Sequence, residues 1–244
     1  MFRNLTYCLG ILLLWNFSAC RNDSPDHSEI ILTENHEIKG VSVWDRISAR
    51  DQPLRNSSRV SLLSLGESFL YLDTFAIDSS YNNTKFLKVR LSDSSVVWVY
   101  DFASVLDAKP AVIITEVPLY LRPDLLTITD ERLKIMEIVA VVEEWDEWIK
   151  VVNEKKENRG WIKKENITTN TIDLAFALLV KRNVNVEDQE QKVQNLEVLL
   201  ENNPYPNTVF LTDLRNIVEH EKELLREIRQ DYDREDWDRR KRNR

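Results

Sequence analysis

The chain has few of the residues from which most catalytic centres are built. Its 244 residues include three histidines and four glycines. A zinc hydrolase holds its ion with several His and carboxylate ligands, and the helix of a zinc protease needs two His one turn apart. Here His27 and His36 stand near the N-terminus, and Leu224 occupies the position one turn after His220. So few glycines leave no Gly-rich phosphate loop, and we expect no catalytic residues, no metal site, no cofactor and no enzymatic activity.

Positive charge is also in short supply. Asp and Glu number 41 against 33 Lys and Arg, which gives a formal net charge of −8. A protein that binds nucleic acid is expected to carry a basic face, because phosphate contacts provide most of its affinity. We therefore predict no nucleic-acid partner.

The N-terminus has the parts of an export signal. Arg3 supplies a positive charge, and the apolar run from Leu5 to Trp15 is too short to span a bilayer. Ser18 and Ala19 then supply the small side chains that a signal peptidase needs, and Cys20 follows them directly. The sequence FSAC resembles the bacterial lipobox, in which the Cys sulfur is acylated before cleavage. A cleaved signal with an incidental Cys and an uncleaved anchor are the alternatives.

The lipobox resemblance implies where the protein is held. Residues 1–19 would be a lipoprotein signal peptide, Cys20 would carry the lipid, and the membrane would be a partner through this anchor. Residues 20–37 are mostly polar and are expected to form a flexible tether. Arg21 stands where Asp would favour retention at the inner membrane, so the outer membrane is the expected site, facing the periplasm or the cell surface. Cys8 leaves with the signal, and the mature chain would then have no thiol for a cysteine peptidase.

A strand-like pattern runs from Gly40 to Thr168. Short runs rich in Val, Ile, Trp and Tyr alternate there with turn-prone clusters of Asn, Asp, Ser and Pro, which predicts small barrels or sandwiches. The runs occur in two copies. In the alignment of the copies, Arg50 matches Arg122, FLKV at 86–89 matches WIKV at 148–151, and Trp98-Val99 matches Trp161-Ile162.

The order of these motifs resembles the bacterial SH3-like (SH3b) domain, a small five-stranded barrel found in tandem on exported bacterial proteins. The second copy matches better, through LYLRPD and Gly160-Trp161-Ile162, while the first has Val97 where the family prefers Gly. The resemblance implies SH3-like domains over residues 38–108 and 109–169. In these domains we expect the repeated Arg to anchor a loop by hydrogen bonds and the repeated Trp to fill the barrel core.

The period of the apolar residues changes to that of a helix after Thr168. Apolar positions predict helices over 172–179 and 187–202 and a third from about Thr212, while two prolines break the chain between the last two. Residues 170–244 therefore form a C-terminal helical region that ends in a charged tail. The predicted fold class is mainly β with an α-helical C-terminal part, in which two small SH3-like β-barrels precede a three-helix segment. Self-association of the last helix, and so the oligomeric state, stays open.

Trp145 is the first candidate for ligand binding. It stands beside Asp146 and Glu147 at a predicted hairpin turn, where an exposed indole can stack on a sugar or hold a cationic group. The alternative is that it folds back as a lid on the barrel. Its odd spacing from Trp148 predicts that the two indoles point to opposite faces of the sheet if the strand extends that far.

Trp148 itself, Tyr120 and Trp44 are weaker ligand-binding candidates. Three functions fit a tethered protein with no enzymatic activity. The first is a cell-envelope lipoprotein whose tandem domains bind peptidoglycan or an envelope protein. The second is a surface-exposed, adhesin-like lipoprotein with a host or extracellular ligand. The third is a structural subunit of an envelope complex.

The lipobox makes a prediction about the mature protein. Mass spectrometry of the N-terminus, combined with membrane fractionation, should find a chain that begins at acylated Cys20 and sediments with membranes. An unmodified Cys20, or a chain that begins at another residue, would contradict the lipoprotein interpretation.

Overall fold

The structure is a computed structural model that describes residues 37–242. The predicted signal peptide, Cys20 and the tether up to residue 36 lie outside the described residues, so their roles stay predictions. Among the helices of the described part, none is long and apolar enough to cross a membrane.

Two antiparallel sheets of seven strands follow one another along the chain. The first module comprises β1 (Lys39–Ser42), β2 (Ile47–Arg50), β3 (Arg59–Leu63), β4 (Ser68–Asp78), β5 (Thr84–Arg90), β6 (Val96–Tyr100) and β7 (Ser104–Leu106). The second module comprises β8 (Lys109–Ile113), β9 (Val117–Tyr120), β10 (Ile128–Leu133), β11 (Ile138–Trp145), β12 (Trp148–Val152), β13 (Arg159–Lys163) and β14 (Ile167–Thr168). Both sheets have the strand order third, second, sixth, fifth, fourth, first, seventh, which is consistent with tandem SH3-like domains.

The pairing registers test the alignment of the two copies. Lys88 pairs with Trp98 in the first module, and Lys150 pairs with Trp161 in the second, so this part of the alignment is confirmed. On the other side of β6, Trp98 pairs with Arg50 of β2. Trp161 pairs with Tyr120 across to β9. The counterpart of Arg50 is therefore Tyr120, and its match to Arg122 is wrong because that residue lies two positions beyond the end of β9.

The repeated arginines differ in what they bind. The Arg50 guanidinium donates to the Ser57 carbonyl at 2.5 Å and to the Tyr100 hydroxyl at 3.0 Å, so it anchors the loop after β2 as predicted. Arg122 is exposed, and it holds its loop through its backbone, whose N–H and carbonyl both bond the Thr127 hydroxyl.

The repeated tryptophans lie outside the cores of the two sheets. Ile162 belongs to the apolar core of the second module, and Trp161 precedes it on the same strand. Successive side chains of a strand point to opposite faces, so Trp161 lies on the outer face although it is buried. Trp98 is placed in the same way beside Val97 and Val99, which belong to the core of the first module. The prediction that these tryptophans are buried is confirmed for Trp161, but both rings pack on the outer side of their sheets, where Trp98 contacts the cluster of Phe86, Tyr100 and Ala103.

Three helices complete the chain, as predicted: α1 (Thr171–Val184), α2 (Gln189–Glu201) and α3 (Leu211–Arg242). This confirms the predicted fold class of a mainly β chain with a helical C-terminal part. The Asn170 side chain accepts a hydrogen bond from the Ile172 N–H at the start of α1, and Asp188 does the same for Gln191 in α2. Such caps satisfy backbone donors that have no partner within the helix.

One apolar cluster joins the helices to both modules. It contains Leu65 of the first module, Val112, Met136 and Ile138 of the second, and Phe176, Ala177, Val180, Leu196, Leu199, Phe210, Leu214 and Val218 of the helical region. The loop that carries Leu65 comes so close that a Cβ on Gly66, whose φ is +80°, would lie 2.9 Å from the Ile138 side chain. Gly66 supplies both the backbone conformation and the space that this contact needs.

Adjacent residues of α1 form ion pairs with different modules. Arg182 binds Asp45 of the first module with two hydrogen bonds, of 3.0 and 2.7 Å. Lys181 binds Glu154 of the second module at 2.5 Å. Burial by itself would raise the pKa of Asp45, but hydrogen bonds from Arg182 and from the Leu65 N–H outweigh it and hold that pKa below its ordinary value. The same pairing raises the pKa of Arg182.

We expect Asp45→Asn to lower the free energy of unfolding at pH 7 by about 2 kcal/mol, because it removes a charge-assisted pair that is partly shielded from water. The pKa of Asp45 is lower in the folded chain than its ordinary 3.8. This contribution is therefore complete above about pH 5 and is lost as the pH falls through the folded-state value. Urea unfolding at a series of pH values should show the variant approaching the unsubstituted protein in acid, while Asp130→Asn on exposed β10 changes little. A deficit that stays constant down to acid would contradict the role of Asp45.

Candidate ligand-binding face of the second module

The Trp145 hairpin has the turn that the sequence predicts. Asp146 and Glu147 connect β11 to β12, and Asp146 adopts a φ of 51° that a tight hairpin turn needs. Trp145 and Trp148 pair directly across this turn, and directly paired residues project from the same face. The expectation of opposite faces required one strand to extend through both residues, and this condition is not met because the turn lies between them.

The two paired indoles differ in exposure. Trp145 is 66% exposed, whereas Trp148 is 7% exposed. The lid alternative for Trp145 is therefore wrong, since a lid would be largely covered. Trp145 is instead exposed at the end of the hairpin, whereas its pairing partner Trp148 is buried.

Trp148 belongs to a group of rings and amines on the outer face of the second module. Its ring meets the Tyr120 ring edge to face, with centroids 5.0 Å apart, and Tyr120 pairs in register with Trp161. The Lys163 amine lies 4.4 Å from the centre of the Trp148 ring, and the Lys150 amine lies 5.3 Å from that of Trp161. We call these five residues the aromatic face. It arises because alternate residues of β9, β12 and β13 point away from the core.

Carboxylates of the hairpin pair with the amines around this face. Glu147 binds Lys163 at 2.7 Å, and Glu143 binds Lys150 at 3.0 Å. The hydrogen bond from Lys163 lowers the pKa of Glu147. In each ion pair the carboxylate keeps lone pairs, and the amine keeps N–H groups, that a ligand can bind.

A polar cavity lies beside the hairpin. Its volume is about 420 Å³, and it is lined by Asp146, Glu147, Lys163, Lys164 and Glu165. Lys164 also binds Glu144 at 3.2 Å, and this hydrogen bond is the main reason that the pKa of Glu144 is lowered. The volume lies within the range of small-molecule sites, about 300 to 1,000 Å³. Carboxylates and amines both line the cavity. Two of its lining residues, Asp146 and Glu147, lie between Trp145 and Trp148 in the sequence.

An apolar loop that was not predicted from the sequence connects β9 to β10. Leu121 and Leu125 are exposed there, and Leu126 is 92% exposed. The loop follows Tyr120 directly, so it extends the apolar surface at the edge of the aromatic face. The sequence contains one sign of this loop, which is the adjacent pair Leu125 and Leu126 in a segment predicted to be a polar turn.

Trp44 lies in the first module, and its described ring contacts do not include the other three candidates. Its ring meets Phe102 at 5.3 Å and lies 5.8 Å from the Lys155 amine. The structure thus brings Trp145, Trp148 and Tyr120 to one region and places Trp44 in another. Across residues 37–242, no group of three or more His, Cys, Asp or Glu is placed to hold a metal ion.

The two indoles of the hairpin should respond differently to truncation. Trp148→Ala should lower the free energy of unfolding by about 3 kcal/mol, because it removes a large buried ring. Trp145→Ala should change it by less than about 0.5 kcal/mol, because most of its ring is in water. Urea unfolding of both variants checks this, and equal losses would show that Trp145 supports the fold.

No protein-family model matches the chain, and no curated protein matches it. Among solved structures, it is similar to NlpC2 from Trichomonas vaginalis, with 14% identity, a TM-score of 0.24, and coverage of 68% of this chain and 55% of that one. It is also similar to NlpC1 from Trichomonas vaginalis, with 16% identity, a TM-score of 0.24, and coverage of 60% and 52%. The chain spans about half the length of these structures, and the similarity to them is distant.

Proposed function

We propose that this protein is a non-enzymatic binding protein of the bacterial cell envelope, which binds peptidoglycan through the aromatic face and the Trp145 hairpin. Acylated Cys20 would hold it at a membrane, and the outer membrane is the proposed site. The polar segment up to residue 37 would let the modules reach the cell wall from that anchor.

The exposure of Trp145 is the observation that carries this proposal. A ring that is 66% exposed stands beside rings that are fixed by packing, so a ligand can cover it without rearranging the module. Its flat apolar surface suits the face of a sugar ring. The neighbouring cavity presents Asp146, Glu147, Lys163 and Lys164, which suit a peptide that carries both amino and carboxylate groups.

The aromatic face provides the rigid support that such a site needs. Trp148 contacts the Tyr120 ring edge to face, and the Lys163 amine lies near the centre of its ring. Lys163 is in turn held by Glu147 of the turn. Binding would therefore cost little ordering of side chains, except at Trp145 itself.

Sedimentation of the purified protein with purified peptidoglycan tests this function. Trp145→Ala should reduce the bound fraction at least about tenfold, which is the loss expected of a central aromatic anchor. The matched control is Trp237→Ala, because Trp237 is also an exposed indole, at 56%, but lies near the end of α3. This control should bind as the unsubstituted protein does.

Two results would contradict the proposal. One is unchanged sedimentation of Trp145→Ala, which would remove the hairpin site. The other is no sedimentation of the unsubstituted protein, together with crosslinking in cells to a stoichiometric envelope protein. That result would assign the aromatic face to a protein partner.

A further inference from the structure

The loop between β9 and β10, residues 121–127, carries three exposed leucines, and we call it the leucine loop. Leu121 is 69% exposed, Leu125 62% and Leu126 92%. Ile128, the first residue of β10, is exposed beside them. Single exposed apolar residues are common on protein surfaces, but four within eight residues indicate a surface that meets an apolar partner.

The leucine loop has a fixed conformation. Thr127 is buried, and its hydroxyl accepts the Arg122 N–H at 3.1 Å and bonds the Arg122 and Asp124 carbonyls at 3.0 and 2.8 Å. The Asp124 carboxylate accepts the Leu126 N–H at 2.9 Å. These bonds tie both ends of the loop to its middle, so the folded loop itself holds the leucines in water.

The backbone of this loop satisfies hydrogen bonds internally. Several of its N–H groups bond acceptors within the loop, namely those of Leu121, Arg122, Asp124, Leu126 and Thr127. Pro123 has no N–H to satisfy. An unpaired backbone N–H is costly in lipid, because no water is present there to replace its partner. The leucine loop can therefore leave water without losing these bonds.

The leucine loop and the Trp145 hairpin lie at opposite ends of the second sheet. Tyr120 of β9 pairs with Trp161 of β13. Further along β13, Lys163 pairs with Trp148 beside the hairpin. Because β9 and β13 are antiparallel, the chain moves away from the hairpin as it leaves β9 and enters the loop. A surface that holds this loop would leave the hairpin on the far side of the module.

The charge of the loop and its proposed distance from lipid both favour a bilayer as the apolar partner. Arg122 and Asp124 are its charged residues and balance each other, so no net charge opposes an approach to phospholipid head groups. The stem of Arg122 is long enough to keep its charge at the level of the head groups. Under the proposed function, residues 21–36 separate acylated Cys20 from Glu37, a span of at most about 60 Å. The anchor would therefore keep lipid at a high effective concentration near the loop.

We propose that the leucine loop inserts into the surface of a lipid bilayer and thereby turns the Trp145 hairpin away from it. Leu121, Leu125 and Leu126 enter the boundary between head groups and acyl chains, while the two charged residues stay among the head groups. Leu126 is almost fully exposed, so it projects from the module and makes this contact without rearrangement. The inference rests on the proposed membrane anchor, since three leucines alone bind lipid weakly.

Electron paramagnetic resonance of a nitroxide at position 126 tests the insertion. The full purified protein with Leu126→Cys is labelled and reconstituted with neutral phosphatidylcholine vesicles, and the signal of labelled protein without the added cysteine is subtracted. Collisions with oxygen and with a water-soluble nickel chelate should place this nitroxide about 5 to 10 Å below the lipid phosphates. A nitroxide introduced by Val198→Cys, at an exposed apolar residue of α2, should remain in water.

Charged variants assign the insertion to the leucines. Leu125→Asp should return the nitroxide at position 126 to water, because a carboxylate is costly to bury in lipid. Val209→Asp makes the same charge change at a similarly exposed residue between α2 and α3, and should leave the nitroxide in the bilayer.

Three results would overturn the proposal. If the protein floats with the vesicles but the nitroxide at position 126 stays in water, the loop does not insert and the anchor stands. If that nitroxide is immobilised only in native envelope membranes, the loop binds a protein. If the protein does not float, the anchor fails as well, whereas sedimentation with peptidoglycan tests the Trp145 site without lipid.

Discussion

The contact of α1 with both modules is the interaction on which the rest of the structure depends. Arg182 forms an ion pair with Asp45 of the first module, and the preceding residue, Lys181, forms one with Glu154 of the second. The apolar cluster beneath them includes Leu65 of the first module as well as residues of the second. Two small sheets joined by a short connection would otherwise be free to change their relative orientation. The helix fixes that orientation because one short, rigid segment binds both.

The fixed orientation also positions one turn of the second module against the first. Glu154 begins the turn that carries Lys155 and Lys156, so the ion pair with Lys181 acts on the same turn that presents these amines to Trp44. The hairpin of Trp145, by contrast, is built within the second module alone. The candidate ligand-binding hairpin therefore depends on strand pairing and not on the helical region.

The duplicated modules have diverged on their outer faces. Arg50 in the first module occupies the place of Tyr120 in the second, since each pairs with the repeated Trp. In the first module the Arg50 side chain binds the Tyr100 hydroxyl and a loop carbonyl, which turns this position into a structural link. In the second module Tyr120 packs edge to face against Trp148, which pairs with the exposed Trp145. The same sheet thus supports loop anchoring in one copy and an aromatic surface in the other.

Features that depend on neighbouring residues could be predicted from the sequence: the repeat, the strands, the helices and the hairpin turn at Trp145. These follow from local periodicity and turn chemistry. The same reasoning did not place Trp161 on the outer face of its sheet or Trp145 and Trp148 on one face, because the face that a side chain occupies depends on strand register. The contacts of Arg182 with Asp45 and of Lys155 with Trp44 form only when the chain folds. Such contacts join residues more than a hundred positions apart, and no local pattern encodes which distant partner a charge or ring will meet.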